Sequence, residues 1–253
     1  MDFRIIPSLQ LLNERLVKTI KFGHPQYIGD PVNTVRIFNE LEVDELCFLD
    51  ISATLEKKEP HYFLLQQIAN ECFMPLSYGG GITGIEQAKK IIRSGFEKII
   101  LNTAALQHPH LIKEFAEQLG SQAVVLSIDV KKNLLGKYIV MSHSGTKKTE
   151  KEPAQWAMEA QELGAGEILL TSIDREGTWN GFDIALAKKV MDSVSIPVIA
   201  QGGAGSPEDI HTLLQAAPVS AVALGSMLVF QKKGMGVLIN FPKEKIQKAC
   251  SNR

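Results

Sequence analysis

Apolar residues fall in eight short, nearly unbroken runs, at 5–9, 46–51, 76–78, 99–101, 123–128, 168–172, 198–200 and 221–224. Such runs, without polar alternation, are the pattern of parallel strands covered on both faces. Between them lie longer amphipathic segments that read as helices. Several of these show where they begin. Asp30-Pro31 is an N-cap followed by proline at the first helical position. Ser206-Pro207-Glu208-Asp209 repeats the device and adds acids in the first turn. Thr83-Gly84-Ile85-Glu86 reads as a capping box and His108-Pro109-His110 as a helix-opening turn. Gly95, Gly120 and Gly164 are helix stops. Eight strand-then-helix units in 253 residues predict one α/β domain, a (β/α)8 TIM barrel.

The chain also repeats itself. Ile5-Ile6-Pro7-Ser8-Leu9-Gln10 matches Val124-Val125-Leu126-Ser127-Ile128-Asp129 at an offset of 119 (Ser8 to Ser127), and Lys18 falls on Lys137 at the same offset. The stretch from Pro75 through Gly80-Gly81 to Glu86 matches Pro197 through Gly202-Gly203 to Glu208 at an offset of 122 (Gly80 to Gly202). A closed eight-stranded barrel divides into two four-strand halves, here about 1–120 and 121–253. A doubly wound open sheet, the competing architecture, does not divide that way. One position breaks the repeat: the second half ends its first strand in Asp129, the first half in Gln10. The longest connections, 11–29 and 131–149, read as loops leaving the C-terminal ends of strands 1 and 5, the face where barrel chemistry sits.

Composition narrows the class. The chain is 45% hydrophobic and 22% charged, ordinary for a soluble globular protein that builds its core without disulfides. A formal net charge of −1 argues against a general nucleic-acid or membrane-surface binder. No apolar stretch reaches spanning length and the beginning MDFRIIPS lacks a signal-peptide layout, so a cytoplasmic protein is expected. Cys47, Cys72 and Cys250 form an odd set without CxxC spacing, and the first two sit in apolar runs as reduced core thiols would. The six histidines are scattered, with no metal-ligand spacing, and neither a metal nor another cofactor is expected.

Candidate chemistry gathers at the strand ends. Gly79-Gly80-Gly81 follows strand 3 and Gly202-Gly203-Ala204-Gly205 follows strand 7, each ahead of a capped helix. Consecutive glycines let backbone N–H groups close on an anion, or simply make tight turns. Asn102-Thr103 after strand 4 and Gly225-Ser226 after strand 8 would complete two cradles, for a ligand with a phosphate at each end. Asp129 ends strand 5, Asp50 ends strand 2, and Asp174-Arg175-Glu176 follows strand 6. Each acid is a candidate proton carrier or a brace for its own loop. Lys18 is an anion ligand or a solvated lysine. Arg4, Glu45, Lys98 and Glu167 each precede a strand and so belong to the opposite face, as ordinary charges or as a paired ring about the axis.

With these residues in view, the chain resembles the HisF family, the cyclase subunit of imidazole glycerol phosphate synthase. RIIPSL, GDPV, DELCFLDISAT, GGGI, NTAAL, GSQAVVLSIDVK, GAGEILLTSIDREGT and GGAG carry the resemblance over essentially the whole chain. It implies a barrel that receives ammonia from a HisH-like glutaminase at its N-terminal face. The ammonia crosses the barrel and meets a bisphosphorylated aminoimidazole precursor (PRFAR), giving imidazole glycerol phosphate and AICAR in histidine biosynthesis. By the same resemblance Asp129 matches one of two catalytic aspartates and Lys18 a substrate-holding lysine. Gly81, Asn102, Thr103, Gly203 and Ser226 match phosphate-contacting turns. Arg4, Glu45, Lys98 and Glu167 match a charged gate.

The departures lie on the chemical face. The other catalytic aspartate falls on Gln10, the cysteine before it is Ser8, and the loop-1 Asp-Gly-Arg stretch is replaced by Leu12-Asn13-Glu14-Arg15. The acid of the strand-6 signature is Glu176, and the serine before the second glycine pair is Gln201. Ring closure needs proton transfers on both sides of the reacting atoms, and a glutamine amide cannot titrate. Losing one general acid or base costs about 10²–10⁴ in rate. The expected activity is therefore a lyase/cyclase subunit with weak turnover of the usual precursor. The alternative is a paralogue that keeps the barrel as an ammonia conduit for N-acetyl sugar amidation in surface-polysaccharide synthesis, beside a separate sugar amidotransferase.

Overall fold

A computed structural model describes residues 3–251; the side chain of Cys250 lies outside that description. Among the described residues twelve strands are formed: β1 (Arg4–Leu12), β2 (Arg15–Ile20), β3 (Gly23–Gly29), β4 (Leu46–Asp50), β5 (Leu76–Gly79), β6 (Lys98–Leu101), β7 (Val124–Lys132), β8 (Tyr138–Ser142), β9 (Lys147–Lys148), β10 (Glu167–Ser172), β11 (Val198–Gln201) and β12 (Ala221–Leu224). Eight of them close the barrel in the order β1-β4-β5-β6-β7-β10-β11-β12 and back to β1. Every one of those pairings is parallel. These eight are the strands the apolar runs predict, and the (β/α)8 barrel is confirmed.

The other four strands correct the reading of 11–29 and 131–149 as loops. β1 runs on past the barrel wall and pairs antiparallel with β2, which pairs with β3. β7 does the same with β8 and β9. The first hairpin escaped detection because its two-residue turns use Asn13-Glu14 and Lys21-Phe22, all left-handed with φ between 49 and 64°. Such turns usually advertise themselves with glycine. The hairpins also correct the lysine equivalence. Gln10 pairs with Val17 and Asp129 with Met141, so Lys18 corresponds to Ser142. Lys137 sits exposed at the tip of the longer second hairpin.

Helix ends follow their caps. Asp30 accepts the Asn33 N–H at 2.9 Å, and the box at Ser206 closes through Asp209. Pro109 precedes the helix His110–Leu119. The box at residue 83 is shifted by one: Gly84 is the N-cap, and Gln87, not Glu86, reaches back to the Thr83 N–H at 2.7 Å. Glu86 instead pairs with Lys89 at 3.2 Å.

Two apolar layers result. Between barrel and helices, Phe38, Phe48, Phe115 and Trp156 are wholly buried, each adding about 1.5–3 kcal/mol by leaving water. Inside the barrel sits a separate cluster of Ile6, Cys47, Ile100, Val125, Leu169 and Ile199, with Ala221 and Ala223. Its small members leave space along the axis. Cys47 and Cys72 are both free thiols, the first buried and the second half-buried. Burial pushes the Cys47 thiol up to about 12.

Candidate functional site

The N-terminal end of the barrel is closed by a ring of four charges. Arg4 Nη1 meets Glu45 Oε2 at 2.8 Å, and its other nitrogen pairs with Glu167. Lys98 Nζ lies 3.0 Å from both acids. Each cation bridges both carboxylates, so the paired-ring reading holds and the reading as four ordinary surface charges does not. Burial opposes ionisation of Arg4, but Glu167 and Glu45 together hold its guanidinium above the usual range. Glu45 also lines a small interior cavity with Ile6, Cys47, Ser77, Ile100 and Ala223, behind the ring.

At the C-terminal mouth the two halves differ. Asp129 is half-buried where β7 leaves the barrel wall, and there Asn102 Nδ2 donates to it at 3.0 Å and Ser127 Oγ at 3.1 Å. Burial pushes its carboxyl up to about 6, against the hydrogen bonds from Ser127 and Thr171. A carboxyl that titrates near neutrality can both give and take a proton. Gln10, at the equivalent place on β1, is buried, and its Oε1 accepts both the N–H and the hydroxyl of Thr19, each at 3.0 Å.

The same hydroxyl lies 3.1 Å from Glu176 Oε2, which also accepts the Phe22 N–H at 3.2 Å. Glu176 Oε1 forms an ion pair with Lys18, whose ammonium also donates to Thr19 O at 3.2 Å. Both partners are buried, and burial pulls the Lys18 ammonium down to about 7. Thr19, which the sequence reading passed over, is therefore the hub that ties β1, β2 and the loop after β10 together.

The remaining candidates divide. Asp50 Oδ1 accepts the Ser52 N–H and hydroxyl, both at 2.9 Å, and the Ala53 N–H at 3.0 Å, so it braces its own turn. Asp174 accepts the Lys132 N–H at 2.8 Å and holds the second hairpin. Thr103 Oγ1 accepts the His143 N–H at 2.9 Å, joining that hairpin to the turn after β6. Ser144, also missed from sequence, donates to Ile51 O at 2.9 Å. The glycine turns are packed hard against neighbouring backbone. A Cβ on Gly80 would lie 2.6 Å from Asp50 O, and one on Gly202 would lie 2.7 Å from Ser172 O. Gly225 carries the Lys18 stem, whose Cε would be 2.7 Å from such a Cβ. Among the described residues, no group of three or more His, Cys, Asp or Glu is placed to hold a metal ion, and no helix is long and apolar enough to cross a membrane.

A histidine biosynthesis protein family model matches residues 4–233. The chain is 50% identical over 239 residues to a Pseudomonas aeruginosa protein with the provisional name imidazole glycerol phosphate synthase subunit hisF2, covering 94% of this chain and 95% of that one. A Leptospira borgpetersenii protein provisionally named as the HisF subunit is 51% identical over 240 residues, covering 94% of each. The imidazole glycerol phosphate synthase subunit HisF of Pyrococcus furiosus is 45% identical over 221 residues, covering 87% of each. The chain belongs to the HisF family.

As a HisF-type barrel it shows a pattern that the sequence alone scatters. Ser8, Gln10, Glu176 and Gln201, four of the five departures quoted above, line one cavity with Lys18, Gly202, Gly203, Gly225 and Ser226, while the loop-1 stretch 12–15 lies outside it. Asp129, Asn102, Gly80 and Gly81 belong to the other half of the mouth.

Proposed function

We propose that this HisF-type subunit takes up ammonia at its N-terminal face from a HisH-like glutaminase and delivers it along the barrel axis. At the mouth it meets a bisphosphorylated ligand spanning the two glycine cradles. The observation that carries this reading is the Arg4–Glu45–Lys98–Glu167 ring set directly over an interior cavity. A closed ring of paired charges excludes water and stray cations from the axis. A small neutral molecule can pass once a partner shifts one of the pairs. Asp129, with its carboxyl near neutrality, supplies one proton transfer. Gln10 can position a group but cannot take its proton, so cyclisation of the family precursor is weak.

The test supplies ammonium salt and the family precursor to the purified protein. Turnover about 10²–10⁴ below that of an ordinary family member is expected. Turnover equal to such a member's would overturn the reading. The retained ring beneath an altered mouth favours, as a second reading, a paralogue that hands its ammonia to another acceptor such as an N-acetyl sugar amidation enzyme. In that case glutamine hydrolysis by the partner is stimulated by the barrel while no precursor is consumed.

A further inference from the structure

Beside β11 and β12 the anion cradle already contains an anion. The Lys18 stem lies across Gly225, and its ammonium, the one cation lining this cavity among the described residues, is paired with Glu176. Glu176 is held in that pose from three sides, by Lys18, by the Thr19 hydroxyl at 3.1 Å and by the Phe22 N–H at 3.2 Å. Two further polar groups in the same cavity have no hydrogen-bond partner within the protein: Ser8 Oγ and Gln201 Oε1, on residues only 4% and 8% exposed. Buried groups of that kind are normally satisfied, and here both face the space that a ligand would fill.

We propose that Glu176 is a specificity-determining residue that competes with a phosphate for Lys18, so that this cradle binds an oxyanion only when Glu176 releases the lysine. The proposal rests on the reading that the Gly202-Gly203 and Gly225-Ser226 turns form an anion cradle. A phosphate at these turns needs the Lys18 charge, because Gln10, Gln201 and Ser8 contribute none. The Glu176 carboxylate lies in contact with that charge and repels the incoming ligand. The oxyanion therefore gains Lys18 only at the expense of the internal pair, and the released carboxylate remains beside Thr19 and Gln10. The cradle formed by Gly80, Gly81 and Asn102 is not lined by Lys18 or Glu176 and is free of this competition.

The experiment titrates inorganic phosphate while following Trp179 fluorescence. Trp179 packs against the β11 turn, where a Cβ on Gly205 would lie 3.1 Å from its own Cβ; Trp179→Phe is the blank. Glu176→Gln is expected to tighten phosphate binding at least tenfold. Glu176→Asp, which keeps the charge but shortens its reach, falls between. Lys18→Met is expected to abolish the gain when combined with Glu176→Gln. An unchanged or weaker affinity in Glu176→Gln, with Trp179 responding to phosphate in both proteins, overturns the proposal and leaves the cradle intact. The same gain with and without Lys18 also overturns it, since Glu176 would then act only through its charge. If Trp179 responds to phosphate in no variant, the cradle reading itself falls and the proposal with it. Circular dichroism of each variant establishes that a lost response is not a lost fold.

Discussion

Replacing Lys98 with methionine removes one cation from a ring in which each cation serves two acids. Glu45 and Glu167, with side chains 4% and 7% exposed, would then share Arg4 alone. Stripping one partner from a buried pair costs about 3–5 kcal/mol. Lys98 is 18% exposed and each acid keeps one contact, which places the loss nearer 2–3 kcal/mol. In a chain of this size that lowers the melting temperature by roughly 5–10 °C. Glu167→Gln alone leaves two cations facing one acid and costs a similar amount. The double variant retains a balanced Arg4–Glu45 pair, so its loss should fall short of the sum by at least about 1 kcal/mol. The assay is thermal and urea unfolding of the four proteins at pH 7, with Lys188→Met as the reference for an exposed helical pair worth about 0.5 kcal/mol or less. A Lys98→Met protein melting within a degree or two of wild type would refute the ring as a cooperative structural unit. Additivity within about 0.5 kcal/mol would refute it equally.

Two further outcomes follow from the mouth. Asp129 holds its proton up to about 6 because it is buried, against about 3.9 in an unfolded chain. The native state therefore binds more protons between those values, and the contribution of Asp129 lowers stability as pH rises from about 3.9 to 6, then stays flat. Asp129→Asn should remove that slope in urea unfolding measured from pH 4 to 8, and an unchanged slope would refute the assignment. Thr19→Val deletes the buried hydroxyl set between Gln10 and Glu176. It should cost about 2 kcal/mol and lower the melting temperature by roughly 4–8 °C; a shift below a degree would show that the hub carries no load.

The barrel was legible because its determinants are local. Eight apolar runs, their caps and an internal repeat are all properties of neighbouring residues, and the eight barrel strands fall where the runs place them. The charged ring was half legible. Each of its members stands just ahead of a strand, but pairing among Arg4, Glu45, Lys98 and Glu167 depends on contacts up to 163 residues apart. The first hairpin was hidden by turns that put Asn13, Glu14, Lys21 and Phe22 in left-handed backbone without glycine. Thr19 was hidden for a different reason: a threonine in a short alternating segment carries no signal until the segment folds beneath the β10 loop. The roles of Asp50 and Asp174 as braces were among the readings left open, because an acid at a strand end can serve a turn as readily as a ligand.

Gln10 and Glu176 are coupled through Thr19. Thr19 has one hydroxyl proton, and it faces Gln10 Oε1 at 3.0 Å and Glu176 Oε2 at 3.1 Å. A carboxylate at position 10 would take the same two bonds from Thr19 and confront the Glu176 carboxylate across that single proton. Like charges so placed cannot both ionise without a large penalty. The amide keeps both Thr19 bonds and adds no charge, so no second carboxylate is set against the Lys18–Glu176 ion pair. With position 10 uncharged, the acid of the loop after β10 is the carboxylate left at Thr19, paired with Lys18 and held by three partners. The broken position of the repeat thus removes a carboxylate that could transfer protons and leaves Lys18 to a single acid, Glu176.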